Sequence, residues 1–392
     1  MSHPALPLEG IRVIDLTSNM SGPLATMVLA DQGADVVKIE PLTGDAIRSV
    51  GSGHSGMSAY FANVNRGKRS VAVDLRNPRG KALVERLVEG ADVFVQNFRH
   101  GVADRLGLGP DALLAAHPTL IYASVSGFGT EGPLADAPAY DHVVQALSGI
   151  AAIQSDGGEP AMIRHGAIDK ATAWTTAQAV TAALFHRTRT GTGTRVDVSM
   201  LDVAVAFLWP DGMMDHTVLD PDTVLPPTSR SFRLTPTADG LISLVTLTGA
   251  QWANLVAALA DPDEAADDLS DTSARMAKGG EVMRQVRAKI ALLPTDEVIA
   301  RLRKADVPCA PVVGVEDVWK EPQVVASGTV ASFDHGVLGP VRQARPAPWF
   351  DGQRSPTTET APRLGEHTDE VLVAAGWSDA EVSDLRAAGI VA

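Results

Sequence analysis

A single cysteine among 392 residues, Cys309, excludes an internal disulfide and fits a reducing compartment. It lies in the apolar run Val307-Pro-Cys-Ala-Pro-Val312, where a thiol reads as buried filler rather than a reactive group. Positive charge is also scarce: 33 Lys and Arg stand against 47 Asp and Glu, a formal charge of −14. That balance argues against non-specific binding to nucleic acid or anionic membranes, although a local Lys/Arg cluster would still suit a small polyanion. No apolar run approaches membrane-spanning length, and the opening MSHPALPLEG lacks a basic-then-apolar leader, so a cytoplasmic protein is expected. Aromatic residues make up 5 %, which argues against a broad flat ligand face and leaves room for an acyl pocket. Two nucleotide signatures are missing. No G-x-G-x-x-G follows the first strand-like run, and the Gly-rich stretch Ser124–Pro133 lacks the Gly-Lys-Ser/Thr of a P-loop. A nicotinamide-dinucleotide enzyme is not expected.

What is present is an ordinary globular composition, 45 % hydrophobic and 20 % charged, on a chain long enough for more than one domain. Ile11–Leu16 reads as a buried strand, Ser18–Gly22 as a turn, Pro23 as the opening of a helix that Gly33 ends, and Asp35–Glu40 as the next strand. Strand, helix, strand in under thirty residues is a βαβ unit, so a parallel sheet begins here. Glu40 ends the second strand where a ribose-binding acid would stand. Such folds bind ligands at the turn after the first strand and at other strand ends. Basic residues gather in that part of the chain: Arg48, Arg66-Gly-Lys68-Arg69, Arg76 after the strand Ser70–Leu75, and Arg105 beyond the strand Asp92–Gln96. They either handle phosphates or form a solvated face paired with local acids. Tyr140, near the start of a helix, either stacks on a purine or packs in the core.

The stretch Met162–Phe185 is an extended run reaching Asp169, followed by an Ala-rich helical pattern with Trp174, Ala177, Thr181, Leu184 and Phe185 at helical spacing. Asp169 stands where an N-cap belongs, its carboxylate accepting first-turn amides. Free amides and the helix dipole would then keep it ionised. The same charged group could attack an activated carbonyl and form a covalent acyl intermediate. Position alone leaves cap and nucleophile both open.

Seven motifs, in order from residue 8 to the C-terminus, carry a resemblance. They are Leu8-Glu-Gly-Ile-Arg-Val-Ile-Asp-Leu, Gly33-Ala-Asp-Val-Val-Lys-Ile-Glu, Asn65-Arg-Gly-Lys-Arg-Ser-Val, Ala91-Asp-Val-Phe-Val-Gln-Asn-Phe, Ser126-Gly-Phe-Gly-x-x-Gly-Pro, Thr190-Gly-Thr-Gly-Thr-Arg-Val-Asp-Val-Ser and Leu364-Gly-Glu-His-Thr-Asp-Glu-Val-Leu. Together they resemble the family III CoA-transferases, the carnitine/formyl-CoA/bile-acid (CaiB/BaiF) family. The resemblance implies an α/β fold with a large Rossmann-like parallel-sheet domain and a smaller α/β domain, the chain returning to the large one, in an interlocked dimer. It places the nucleophile on Asp169, which forms a mixed anhydride with the acyl group of an acyl-CoA and then an aspartyl-CoA thioester that a carboxylic acid resolves. CoA would meet Asn19, Met20, Ser21, Val73, Arg76, Asn97, Phe98, Val102, Arg105 and Tyr140. Coenzyme A and acyl-CoA enter as substrates, with no metal, no permanently bound cofactor, no nucleic acid and no membrane implied.

Three departures bear on the chemistry. Pro41 stands where some members carry an adenine-side Arg, a contact that Arg48 could replace, and Pro138 stands where formyl-CoA transferases carry a Lys. Their glycine-rich loop over the acyl intermediate has no equivalent between Leu225 and Gly240, which argues against formate or oxalate. The same family holds α-methylacyl-CoA racemases, the alternative reading, in which an acyl-CoA undergoes α-proton transfer. Their catalytic His falls on Tyr140, and a phenol does not readily replace imidazole as a base near neutral pH. The expected domains are 1–214, a linker at 215–230, a small unit at 231–328 and a C-terminal segment 329–392 returning to the large domain. The acidic run Asp261–Asp271 reads as solvated surface. Trp174, Met200, Trp209 and Met213 read as core rather than as an acyl site.

Overall fold

Six short runs, most of them rich in β-branched residues, pair in one parallel sheet: β1 Arg12–Leu16, β2 Asp35–Glu40, β3 Lys68–Ala72, β4 Val93–Gln96, β5 Ile121–Ser126 and β6 Thr194–Ser199. In the computed structural model, which describes residues 6–155, 158–223, 232–259, 272–354 and 360–392, their order is β3-β2-β1-β4-β5-β6. Register is fixed on both sides of β1, where Ile14 stands opposite Val37 of β2 and Phe94 of β4. Both faces are covered. Ile14, Val37, Phe94 and Tyr122 point into one apolar layer, and Val13, Val36, Val93 and Ile121 into the other. That alternation is the two-residue period of a strand, and apolar residues on both faces are what a parallel sheet needs.

Helices α1 Ser21–Asp31, α2 Ala59–Asn65, α3 Pro78–Val88, α4 Val102–Arg105, α5 Pro110–Ala116, α6 Asp141–Leu147, α7 Ile150–Ile153, α8 Ala167–Thr190 and α9 Met200–Gly212 fill the connections. Asn77 caps α3 from its side chain, with Pro78 at the first helical position, which fixes that start locally. α8 contributes Ala177, Val180, Ala183 and Leu184 to the second layer, while the C-terminal helices Thr368–Ala374 and Asp379–Ala387 contribute Val371, Leu372, Val382 and Leu385 to the first.

The chain forms two compact units, one running to Met213 and resuming at Gly328, the other being Met214–Ser327. The second unit has its own core, Ile242, Leu255, Ile290, Val298 and Leu302, beneath a small antiparallel sheet of Thr235–Pro236, Leu241–Leu244 and Cys309–Pro311. Cys309 is half-buried there, and burial pushes its thiol up, as befits filler. The acidic run Asp261–Asp271 and part of the expected linker, 224–230, lie outside the described residues. Among the described residues no helix is long and apolar enough to cross a membrane.

Candidate active site

The sheet reverses its winding between β1 and β4. From β1 the chain moves outward to β2 and β3, and from β4 it moves the other way to β5 and β6. Open parallel sheets bind ligands beyond the carboxyl ends of the strands at such a point. The two strand-end segments are tied together here: Asn97 donates from Nδ2 to the Ser18 carbonyl at 2.8 Å, and its Oδ1 accepts the Ser18 amide at 2.9 Å. Asn19 then takes a left-handed conformation, φ +66°, and its amide reaches Asp45 Oδ1 at 3.3 Å. Gly22 is required by close approach, since a Cβ there would stand 2.4 Å from that of Thr17.

A buried ion cluster sits under this turn. Asp15 and Lys38 are register partners on β1 and β2; Lys38 Nζ pairs with Asp45 at 3.1 Å and donates to the Thr17 carbonyl at 2.7 Å. Lys68 Nζ pairs with Asp15 at 2.9 Å and donates to the Pro23 carbonyl and to Asn65. Burial would raise the Asp15 carboxyl, but Lys68, Lys38 and the hydroxyls of Thr17 and Thr26 together carry it below its usual range. Burial brings Lys68 down to about 8.

These contacts decide several readings that the sequence left open. Glu40 is no ribose ligand: it is buried, accepting both Arg48 Nε at 2.8 Å and Ser70 Oγ at 2.7 Å. Arg48 lies flat over the Phe61 ring, 3.6 Å from its centroid, and donates to the Pro362 carbonyl, so it replaces no adenine contact. Arg66 pairs with Asp31 at 2.7 Å, and Arg69 with Asp35 and Glu370, which removes the 66–69 run from phosphate handling. Trp174 and Trp209 are exposed rather than core, whereas Met200 is buried.

Asp169 is not the N-cap. That position belongs to Gly166, which has no side chain to offer, and Asp169 is the third residue of α8. The leading amides of α8 are capped from another element: Asp141 Oδ2 accepts Ile168 N at 2.7 Å and Asp169 N at 2.9 Å. The Asp169 carboxylate instead lies beside the hydroxyl and backbone amide of Ser21, at the start of α1, whose dipoles favour its charged form. Burial raises its pKa above the ordinary aspartate value and the Asp141 charge adds to this, while Ser21 and a positive charge on His142 oppose. The expectation that free amides and the helix dipole keep it ionised is therefore corrected: its electrostatics are those of a partly desolvated carboxylate beside a second one. Tyr60 on α2 faces the same cluster; burial and the charges of Asp169, Asp45 and Asp141 push its phenol up. Sequence reading missed Tyr60, for which the only signal was Ser58, two positions earlier, as the cap of α2.

The other residues named from sequence fall in four places. Asn19, Met20 and Ser21 form the α1 turn beside Asp169. Asn97, Phe98, Val102 and Arg105 follow β4, Phe98 packing partly into the first apolar layer and Arg105 exposed on α4. Val73 and Arg76 follow β3, two strands from β1 and so roughly 10 Å across the sheet. The Val73 side chain is buried in the core and offers a ligand only backbone, whereas the Arg76 side chain is 90 % exposed. Tyr140 is the backbone N-cap residue of α6 and is 65 % exposed, which excludes the core reading.

The profile of CoA-transferase family III matches residues 8–368. The chain belongs to that family. The succinate–glutarate CoA-transferase of Agrobacterium fabrum is 34 % identical, over 93 % of this chain and 95 % of that protein, and the mouse succinyl-CoA:glutarate CoA-transferase is 30 % identical over 98 % and 90 %. A crystal structure of Rv3272 from Mycobacterium tuberculosis superposes with a TM-score of 0.82 at 32 % identity, covering 94 % of this chain and 99 % of that one. A CAIB/BAIF family protein from Brucella suis gives 0.81 at 30 %, over 95 % and 100 %. This family III enzyme is a CoA-transferase, and CoA thioesters are the substrates of such enzymes.

Proposed function

We propose that this enzyme moves CoA from an acyl-CoA to a carboxylic acid through covalent intermediates on Asp169. One observation carries the reading: a half-buried carboxylate at the switch point, beside Ser21, with the leading amides of its own helix taken by Asp141. An Asp169 oxygen attacks the thioester carbonyl, expelling CoA thiolate and leaving an acyl-aspartyl anhydride. The thiolate attacks the aspartyl carbonyl, releasing the donor acid and forming aspartyl-CoA. The incoming carboxylate attacks this thioester, freeing CoA thiolate and giving a second anhydride. Attack of the thiolate on the new acyl carbonyl yields the product thioester and regenerates Asp169. The Ser21 amide and hydroxyl are donors placed where charge builds on the aspartyl oxygens.

In this reading the CoA chain enters along the Asn19–Ser21 turn and the segment after β4, with Asn97, Phe98 and Val102 along its path. The exposed Arg76 and Arg105 take the phosphates, Val73 presents backbone, and Tyr140 stacks by the active centre. A racemase reading gains nothing from Tyr140, whose phenol is a poor base at neutral pH. A second copy of the chain would cover exposed apolar side chains on α8 and α9, Trp174, Phe185, Phe207 and Trp209; light scattering coupled to gel filtration should give twice the 41.1 kDa chain mass. The catalytic test is mass spectrometry after incubation with a panel of acyl-CoAs and hydroxylamine, which turns an activated carboxyl into a hydroxamate. A hydroxamate on Asp169, lost in Asp169→Ala, is expected. A modified protein with the label elsewhere would sink the assignment.

A further inference from the structure

Helix α8 begins in an unusual way. Its N-cap residue is Gly166, where Ser, Thr, Asp or Asn would ordinarily turn a side chain onto the second and third amides. A side chain there would displace Met20. A Cβ on Gly166 would lie 2.9 Å from Met20 Sδ and 3.5 Å from Asp169 Oδ2, so a capping side chain would intrude between the α1 turn and the Asp169 carboxylate. Those two amides, of Ile168 and Asp169, are instead taken by Asp141 from α6. Asp141 is 3 % exposed, and its other oxygen accepts Gln145 Nε2. Gln145, fully buried, also holds the segment leading into α8: its Oε1 accepts Ile163 N at 2.9 Å and its Nε2 donates to the Ile163 and His165 carbonyls.

We propose that Asp141 is a positioning residue for Asp169: it caps α8 in trans, so that the Asp169 carboxylate is left off the helix end and turned to Ser21, and it sets a second negative charge beside the nucleophile. The inference rests on the covalent role of Asp169. A carboxylate that capped its own helix would be stabilised by two amides and so be a weaker nucleophile. With those amides occupied, Asp169 faces the Ser21 hydroxyl and amide, in a field shared by Asp141 and His142 from α6, Tyr60 from α2 and Ser21 from α1. The capping and the charge of Asp141 are separable by mutation. Asp141→Asn keeps an oxygen for the amides and removes the charge, while setting its NH2 against Gln145 Nε2, a lost bond that Gln145→Ala controls for. Gln145→Ala loosens the clamp and keeps the charge. Asp141→Glu keeps the charge and displaces the cap by one methylene.

The test reads the acid limb of kcat/KM against pH, beside hydroxamate trapping at Asp169 in every form. Asp141→Asn should move the limb down by about one pH unit, as removal of a neighbouring like charge does. Gln145→Ala should leave it in place, and Asp141→Glu should lower kcat at least tenfold without moving the limb or KM. An Asp141→Asn limb superposed on wild type, a Gln145→Ala limb shifted as far, or a wild-type kcat in Asp141→Glu would overturn the proposal while hydroxamate on wild-type Asp169 kept the covalent reading. A wild-type enzyme that turns over without any hydroxamate on Asp169 would remove both.

Discussion

Asn97 joins the two strand ends of the site with a pair of hydrogen bonds to a single residue, Ser18. Neither bond is to the reacting centre, so their loss should act on the shape of the CoA path. Asn97→Ala leaves a half-buried amide and carbonyl without partners, at about 1–2 kcal/mol. Acyl-CoA KM should rise roughly tenfold, with a smaller change in kcat; a loss confined to kcat would contradict this role. The arginines sort in the same way. Arg69 is committed to Asp35 and Glu370, whereas Arg105 is exposed on α4, after β4. Arg105→Ala should weaken CoA binding and flatten its salt dependence, and Arg69→Ala should change neither, as titration calorimetry at two ionic strengths would report.

Between α1 and its preceding turn the packing leaves no slack. Gly22→Ala would drive a methyl into Thr17 Cβ, next to the main chain and unable to swing away, so the start of α1 must move. The expected cost is about 1–3 kcal/mol in urea unfolding, together with a fall in hydroxamate yield because Ser21 moves with the helix. Elements of this kind were legible in sequence where punctuation is local: Gly33 ends α1, and compact apolar runs mark β1 and β2. The true cap of α8 was not. A helix start read from a single stretch assigns the cap to the nearest Asp, and nothing near residue 169 signals a carboxylate arriving from residue 141. The basic run 66–69 stayed undecided for a related reason, since charge counts along the chain do not show that Lys68 points inward to Asp15 while Arg66 reaches across to Asp31. Strand ends, by contrast, are fixed by topology, and this is why Asn19, Ser21 and Asn97 could be named from pattern and resemblance.

For the molecule as a whole, the buried carboxylates decide its behaviour in acid. Burial opposes ionisation of both Asp15 and Glu40, yet Lys68 and Lys38 on the one side, and Arg48, Lys38 and Ser70 on the other, hold both below their ordinary values. A carboxyl lowered on folding contributes stability that is fully present above its unfolded pKa and is lost as pH falls through the folded value, because the unfolded chain then binds the proton first. Asp31 and Asp169 are raised and act in the opposite sense, giving up a penalty as they protonate near and above the ordinary aspartate range. The urea midpoint should therefore change little, or rise slightly, from pH 7 to about 5, and fall steeply below about 4, where unfolded carboxyls begin to take protons. Lys68→Met tests the source of the steep part. It leaves Asp15 buried without its closest cation, which should cost about 3–5 kcal/mol at pH 7. The same change removes the pull that holds Asp15 below its ordinary range, so Asp15 no longer adds to the loss in acid, and the variant's limb should be shallower, its deficit against wild type narrowing below about pH 4. A parallel loss at every pH, with the limb unmoved, would place the acid sensitivity outside the cluster under the α1 turn.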